Sequence, residues 1–548
     1  MKTLPSNPFL ATSRGQRGRG RQLWTTLSVA MLMNTSAVLA ADYNWNTTTG
    51  AWDTTTANWT GGGSTWVDGA ANNARFVNTA TASTVTLSGD RTAGTITIGN
   101  ATNSYNYNLT GGAATLSGTS LAFAGSGSND SQDHLASHTV FNGSLNVTLS
   151  GNVTIRRGNL EFGGTGTYNV ANITTSGDWG IFRMSGSAAV NATGLLMGSG
   201  GGGAVTGSFD LNGGTLTTGS ITAISTGNSN GNTWTTRNTI NGATLKASQS
   251  NAAFLTVSAS SLGVVNGTNA GNNVWLGNSG VTFDSNGFSI GTATVFRDDT
   301  GAAGTLTKTG NGTLTLSGAS IFTGATTING GTLKVNGSLA TGSAVSVSGG
   351  AALGGTGTIN GSVSLASGAT AGTQGAISLV DGGMGTLTLT NAAGLTLGGT
   401  AGNLSNLKFD VGAFTADLLS LGANPLTISD GGASITITGI GVAAGNTYDL
   451  VSFGSGAGTG FTTGSGTTVG ALTLANPNIT FGVSGSLTVT ADKIQLVTAG
   501  ASAPGLAYWS GVKGSTWASN DGIGGNFTTN DQRDRRFENA GGSRKIPE

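Results

Sequence analysis

Both histidines of the chain fall in one segment, Asp130-Ser131-Gln132-Asp133-His134-Leu135-Ala136-Ser137-His138. On a helix, His134 and His138 at i, i+4 would present two imidazoles on one side, and with Asp130 and Asp133 they form a candidate metal-ligating set. The flanking Gly and Ser disfavour a stable helix, and a solvated loop accounts for the same polarity, so no metal is expected. The richest acid–base groupings are Arg297-Asp298-Asp299 and Arg156-Arg157 with Glu161. Carboxylates gathered on one face, or holding Ca²⁺ beside a basic residue, could serve a polysaccharide hydrolase or lyase. Exposed turn charges that keep the protein soluble explain them with fewer assumptions. Gly227-Asn228-Ser229-Asn230-Gly231 matches the nucleophile-elbow pattern, yet both histidines precede it, the reverse of the order such hydrolases use. No Gly-Lys dipeptide exists, which removes a phosphate-binding P-loop. Zero cysteines exclude disulfides and thiol catalysis. No catalytic residue and no cofactor are expected; a carbohydrate-active enzyme stands as the alternative.

A second set of chemistry-bearing residues is aromatic. Trp45, Trp52, Trp59 and Trp66 stand seven apart among Thr, Asn and Gly, residues too poor at forming helix for a coiled-coil heptad. They are candidates for stacking on sugar rings. They equally suit an apolar plug closing the first coil of a stack, whose terminal edge would otherwise lie open. Because seven is odd, one straight strand would send successive indoles to opposite faces, so Gly50 and Gly61-Gly62-Gly63 are read as turns that reset direction.

The elements that must position these residues are strands. Glycine supplies 96 of 548 residues, charged residues only 8% and proline only 6 residues, while 37% are hydrophobic. The apolar residues lie in short alternating runs such as Thr84-Val85-Thr86-Leu87, Gly94-Thr95-Ile96-Thr97-Ile98-Gly99 and Thr313-Leu314-Thr315-Leu316, the period-two pattern of a strand with one buried side. No long window carries a helical stripe. Between Gly304 and Leu339 the string Gly-Thr-Leu recurs at Gly304, Gly312 and Gly331. Such units cannot bury their apolar rows alone and need copies above and below. The expected fold is all-β, a parallel β-solenoid with an aromatic N-terminal cap. Coils of roughly 18 to 28 residues, about 20 of them at ~4.8 Å each, would make a rod of roughly 100 Å. Stacking identical charges along such a column would repel, so Thr, Ser and Asn columns are expected on the outside.

Charge is distributed unevenly. Residues 1–40 hold five basic residues and no acid, ahead of an apolar run from Leu23 to Met33 and the compact Val38-Leu39-Ala40; this is the layout of a signal peptide cut near Ala40. The run is too interrupted by Thr and Ser for a membrane anchor, so no transmembrane segment is expected in the mature chain. The body from 41 to 530 is mildly acidic and shows no basic patch, which argues against a nucleic-acid partner. The domains predicted are a signal peptide (1–40), a Trp-rich cap (41–75), irregular coils (76–300), a solenoid with its best repeat at 304–339 (301–500), an incomplete second Trp-rich block around Trp509 and Trp517 (501–530) and a disordered tail (531–548) in which nine of 18 residues are charged.

The central stretch resembles the autotransporter-associated β-strand repeat, also called the passenger-associated transport repeat. The likeness rests on Leu306-Thr307-Lys308-Thr309-Gly310, Gly312-Thr313-Leu314-Thr315-Leu316-Ser317-Gly318, Phe322-Thr323-Gly324 and Thr326-Thr327-Ile328-Asn329-Gly330-Gly331-Thr332-Leu333, with Leu353-Gly354-Gly355-Thr356-Gly357 following. It implies a right-handed parallel β-helix exported to a bacterial surface or medium, and it carries over no catalytic residue. Neither a translocator barrel nor a sorting anchor is legible after it. The function expected is that of a non-catalytic surface or extracellular scaffold in adhesion or matrix contact, with glycans or other cell-surface components as partners.

Overall fold

The computed structural model describes residues 40–500 apart from short stretches at 78–82, 100–105, 124–136, 176–179, 199–206, 226–237, 260–272, 371, 455–461 and 481, and the backbone of four short strands beyond 500. The predicted signal peptide, Asp130, Asp133 and His134, and the segment 227–231 lie outside the described residues. The described residues contain strands and turns and no helix.

The chain winds as a parallel β-helix with three faces. The first face begins with Asp42–Trp45, Asn73–Phe76, Thr95–Ile98 and Ser120–Phe123, each paired in parallel with the next. The second runs through Ser83–Leu87, Tyr107–Gly111, His138–Gly143 and Gly158–Phe162. The third runs through Arg91–Thr92, Thr115–Gly118 and Asn146–Leu149. Long strands such as Gly180–Leu196 and Gly207–Thr218 turn a corner and contribute to more than one face. Along the described stack, the strands of each coil pair with those of the coils above and below, which is why alternating runs too short to stand alone are stable here.

Register turns period two into continuous inner columns. On the first face Ile290, Leu314, Leu333, Leu353, Ile377, Leu407, Ile435 and Leu474 follow one another partner to partner. All are buried, and each contributes roughly 1.5–3 kcal/mol of apolar burial. The strand Thr313–Leu316 shows the logic: Leu314 and Leu316 point in, Thr313 and Thr315 lie half-exposed. At the corners the coils approach closely. Gly310 and Gly331 occupy equivalent turns with φ of 74° and 64°, and a Cβ on Gly331 would sit 2.3 Å from the Gly312 carbonyl, so only glycine fits.

The outer columns are polar ladders. Asn191 Nδ2 donates to Asn169 Oδ1 at 2.8 Å, Ser364 Oγ to Ser346 Oγ at 3.3 Å and Thr390 Oγ1 to Asn360 Oδ1 at 2.7 Å. Where charges do enter a column, their sign alternates: Lys246 pairs in register with Asp284 and lies 3.7 Å from it.

The two ends of the described stack differ from its middle. At the first end Asp42–Trp45 folds back antiparallel on Trp59–Gly61. Toward the other end Thr447–Ser452 pairs antiparallel with Lys493–Gly500, which pairs with Val483–Val489. There an antiparallel meander takes over from the parallel coils, a common way to blunt an open strand edge. Beyond 500, Tyr508–Trp509 pairs with Phe527–Thr528, and Phe537–Asn539 pairs with Gly542–Arg544 inside the segment read as a disordered tail.

Candidate functional site

The four tryptophans proposed for sugar stacking are interior. Trp45, Trp52, Trp59 and Trp66 are at most 2% exposed. Their rings meet edge to face or tilted, with centroids 5.1 Å apart for Trp45–Trp59 and Trp59–Trp66 and 5.2 Å for Trp52–Trp66, and Phe76 continues the cluster. No indole face is open to a ring of sugar. Gly50 is not a turn but opens the strand Gly50–Trp52; the bends at 47–49 and after Gly61 reset direction, so that a seven-residue spacing delivers all four side chains to one interior, as a plug would, and the stacking platform is not formed.

The outward position of the second face gathers the charged residues. Val140, Glu161, Arg183, Asp210, Thr239, Trp275 and Arg297 are successive register partners. They are aimed outward because their neighbours Leu160, Phe162, Phe182, Met184, Phe209 and Leu211 fill the core. His138 reaches Glu161 from the rung before, with Nε2 2.7 Å from Oε2, while the Ser185 hydroxyl donates to Oε1. Arg183 Nε lies 3.5 Å from Asp210 Oδ2. Asp210 Oδ1 also accepts from Thr239 Oγ1 at 2.5 Å and Asn212 Nδ2 at 2.9 Å. Further along, the Arg297 guanidinium stands 5.7 Å from the centre of the Trp275 ring, within the range of a cation–π contact.

The hydrogen bond from His138 holds the Glu161 carboxyl below its ordinary range, helped by Ser185 and by the charges of His138 and Arg183, against the opposing effect of burial. Glu161 and Asp210 are two rungs apart, roughly 10 Å along the backbone at ~4.8 Å per rung, the outer limit of the spacing found in inverting glycosidases. A general acid needs its pKa raised, and Glu161 is shifted the other way. Each carboxylate of this column is engaged by groups on its own or a neighbouring rung.

The other candidate acids are engaged locally. Asp298 Oδ1 accepts from the Gly304 N–H at 2.8 Å, and its Oδ2 accepts from Thr323 Oγ1 at 2.7 Å, so it fixes the turn that opens the repeat. Asp299 Oδ1 accepts from the Thr300 N–H at 2.8 Å. Arg156 and Arg157 form the corner between Val153–Ile155 and Gly158–Phe162, and the Arg156 N–H is held by the Phe123 carbonyl. Of the proposed metal set only His138 is described, and its partner is Glu161. Among the described residues no group of three or more His, Asp or Glu is arranged to hold a metal ion, and no helix is long and apolar enough to cross a membrane.

Three buried charges escape a reading of the sequence. Lys308 is completely buried, although an alternating run would usually reserve such a residue for the outside. Asp410 and Asp417 are buried as well: Asp417 accepts from the N–H groups of Gly385 and Asp410, and Asp410 Oδ2 from those of Asp381 and Gly382. Burial, with the charges of Asp410 and Asp381 adding to it, pushes the Asp417 carboxyl up to about 6 against the lowering effect of the two N–H donors.

The family model of the passenger-associated-transport-repeat matches residues 306–335. The match covers two strands on the third face, Leu306–Thr309 and Thr326–Ile328, and two on the first, Thr313–Leu316 and Thr332–Val335, and the chain therefore carries this repeat within its parallel stack. No curated protein matches the chain.

Proposed function

We propose that the protein is an exported, passenger-type β-helix that works as a surface or extracellular scaffold, making adhesive or matrix contacts through its outer ladders. The observation that carries this reading is the passenger-associated-transport-repeat at 306–335, set in register in a continuous parallel stack. The charge placement agrees with it, because Glu161, Asp210, Asp298 and Asp299 hold rungs and turns together. The leader-like residues 1–40 support export. The test is to express the full chain, sequence the N terminus of the mature product and treat intact cells with protease. Cleavage near Ala40 and a folded body at the surface or in the medium are expected, together with retention of cells or glycans by an immobilised sample. A chain that stays inside the cell, or a body that retains nothing, overturns the proposal. Release of reducing ends from a polysaccharide panel would instead identify the enzyme alternative.

A further inference from the structure

An open groove of about 470 Å³ runs along the third face at its corner with the first, and it crosses successive coils. Its rungs are fixed by register: Asn169 pairs with Asn191, and Asn191 with Thr217. Leu149 and Ser150 bound it on one side, Ser248 and Gln249 on the other. Five consecutive coils contribute, so at ~4.8 Å per rung the groove extends roughly 19 Å along the stack.

Its chemistry differs from that of the second face. No lining residue is charged. The floor is small and apolar, from Val170, Ala192 and Gly219, and the walls are carboxamides and hydroxyls from Asn169, Asn191, Thr193, Thr217, Ser248 and Gln249. Gly219 is part of the construction: a Cβ there would meet Gln249 Nε2 at 2.8 Å, so the missing side chain lets the Gln249 carboxamide lie across the floor. The bond from Asn191 Nδ2 to Asn169 Oδ1 leaves, among the described residues, the Asn169 amide N–H groups and Asn191 Oδ1 without a protein partner. Among the described residues, no protein group occupies the side-chain amide of Gln249 or the hydroxyls of Thr193 and Ser248. This stretch of the described residues keeps both donors and acceptors unspent over several rungs of one groove.

We infer that this groove is a binding site for a neutral, extended polysaccharide. Neutral sugar hydroxyls both donate and accept, which suits mixed amide and hydroxyl walls. An anionic chain would find no cation, and nucleic acid would find no phosphate partner. A peptide strand would find no backbone edge to pair with, since the rungs are already paired with one another. The inference deepens the adhesive reading and rests on it.

The test uses the full chain in affinity gel electrophoresis with soluble neutral mannan, soluble neutral mixed-linkage glucan and anionic polygalacturonate. Retardation by at least one neutral polymer is expected. Thr193→Trp, an exposed position where the indole would fill the groove, should weaken that retardation at least tenfold, and Asn169→Ala with Asn191→Ala should weaken it several-fold. Urea midpoints within error of the wild type show that the variants remain folded. Absence of retardation by both neutral polymers, or retardation that Thr193→Trp leaves intact, overturns the inference, as does retardation by polygalacturonate alone. A chain that reaches the surface and retains cells while failing this assay loses only the groove. One that binds mannan or glucan but is never exported loses only the scaffold reading.

Discussion

The Nζ of Lys308 lies 3.1 Å from the carbonyl oxygen of Gly330, on the next rung of the stack. The same ammonium donates to the carbonyls of Thr309 and Gly310 at 2.7 and 2.9 Å and to Ser285 Oγ at 2.9 Å on the rung before. One buried charge thus ties three coils at the corner where Gly310 and Gly331 turn. It takes an inner-column place, between Phe283 and Ile328, that an aliphatic residue would ordinarily hold.

Lys308→Met should keep the volume and lose the donors. Stranding buried carbonyl groups costs about 1–3 kcal/mol, with charged hydrogen bonds at the upper end. A lower urea midpoint is expected, with local hydrogen exchange rising first around residues 306–335. An unchanged midpoint would show that the ammonium is not needed to hold the corner.

Stability should rise with pH in the alkaline range. Burial pushes Lys308 from its ordinary value of 10.5 down to about 8. Between those values the unfolded chain binds more protons than the folded one, so unfolding becomes harder as pH increases, by up to roughly 3 kcal/mol. Urea titrations from pH 7.5 to 10 should show this gain, and Lys308→Met should flatten it.

Asp417 gives the opposite slope at acid pH. Its pKa is raised from 3.8 to about 6, so between those values the folded state holds the extra proton. Its contribution is fully present below about 3.8 and fades as pH rises through 6. A comparison of urea midpoints at pH 4.5 and 7 should show this term in the wild type, and Asp417→Asn should remove it whatever that substitution does to absolute stability.

Glu161 titrates in the other direction. Its carboxyl is held low, first by the bond from His138, so its contribution is present above its ordinary value of 4.5 and is lost as pH falls through the lower, folded-state value. Glu161→Gln should cost about 1 kcal/mol at pH 6 and less at pH 3. A double-mutant cycle with His138→Ala should return a coupling of roughly 0.5–1.5 kcal/mol.

Trp52→Ala should open the N-terminal plug. Removing a fully buried indole costs about 3–5 kcal/mol, and Trp45, Trp59, Trp66 and Phe76 lean on one another around it. Loss of protection concentrated in the first coils is expected, with self-association through the uncovered edge. Protection lost evenly along the stack would contradict a capping role.

The sequence by itself determined the kind of fold. Alternation in runs such as Thr95–Ile98 and Thr313–Leu316 specifies strands with one buried face, and strands that short can hide their apolar rows only by stacking. The repeat at 306–335 was legible for the same reason, since its glycines and its Leu-Thr-Leu runs are local features. What only the tertiary structure decided is which residues meet. Coils differ in length, so nothing local reveals that Glu161 will lie beside Arg183, or Asn169 beside Asn191, 22 residues apart in each case. The interior placement of the four tryptophans, the burial of Lys308 and the uncharged groove all depend on register across coils, which is set by the backbone pairing of the whole stack and by where its loops are inserted.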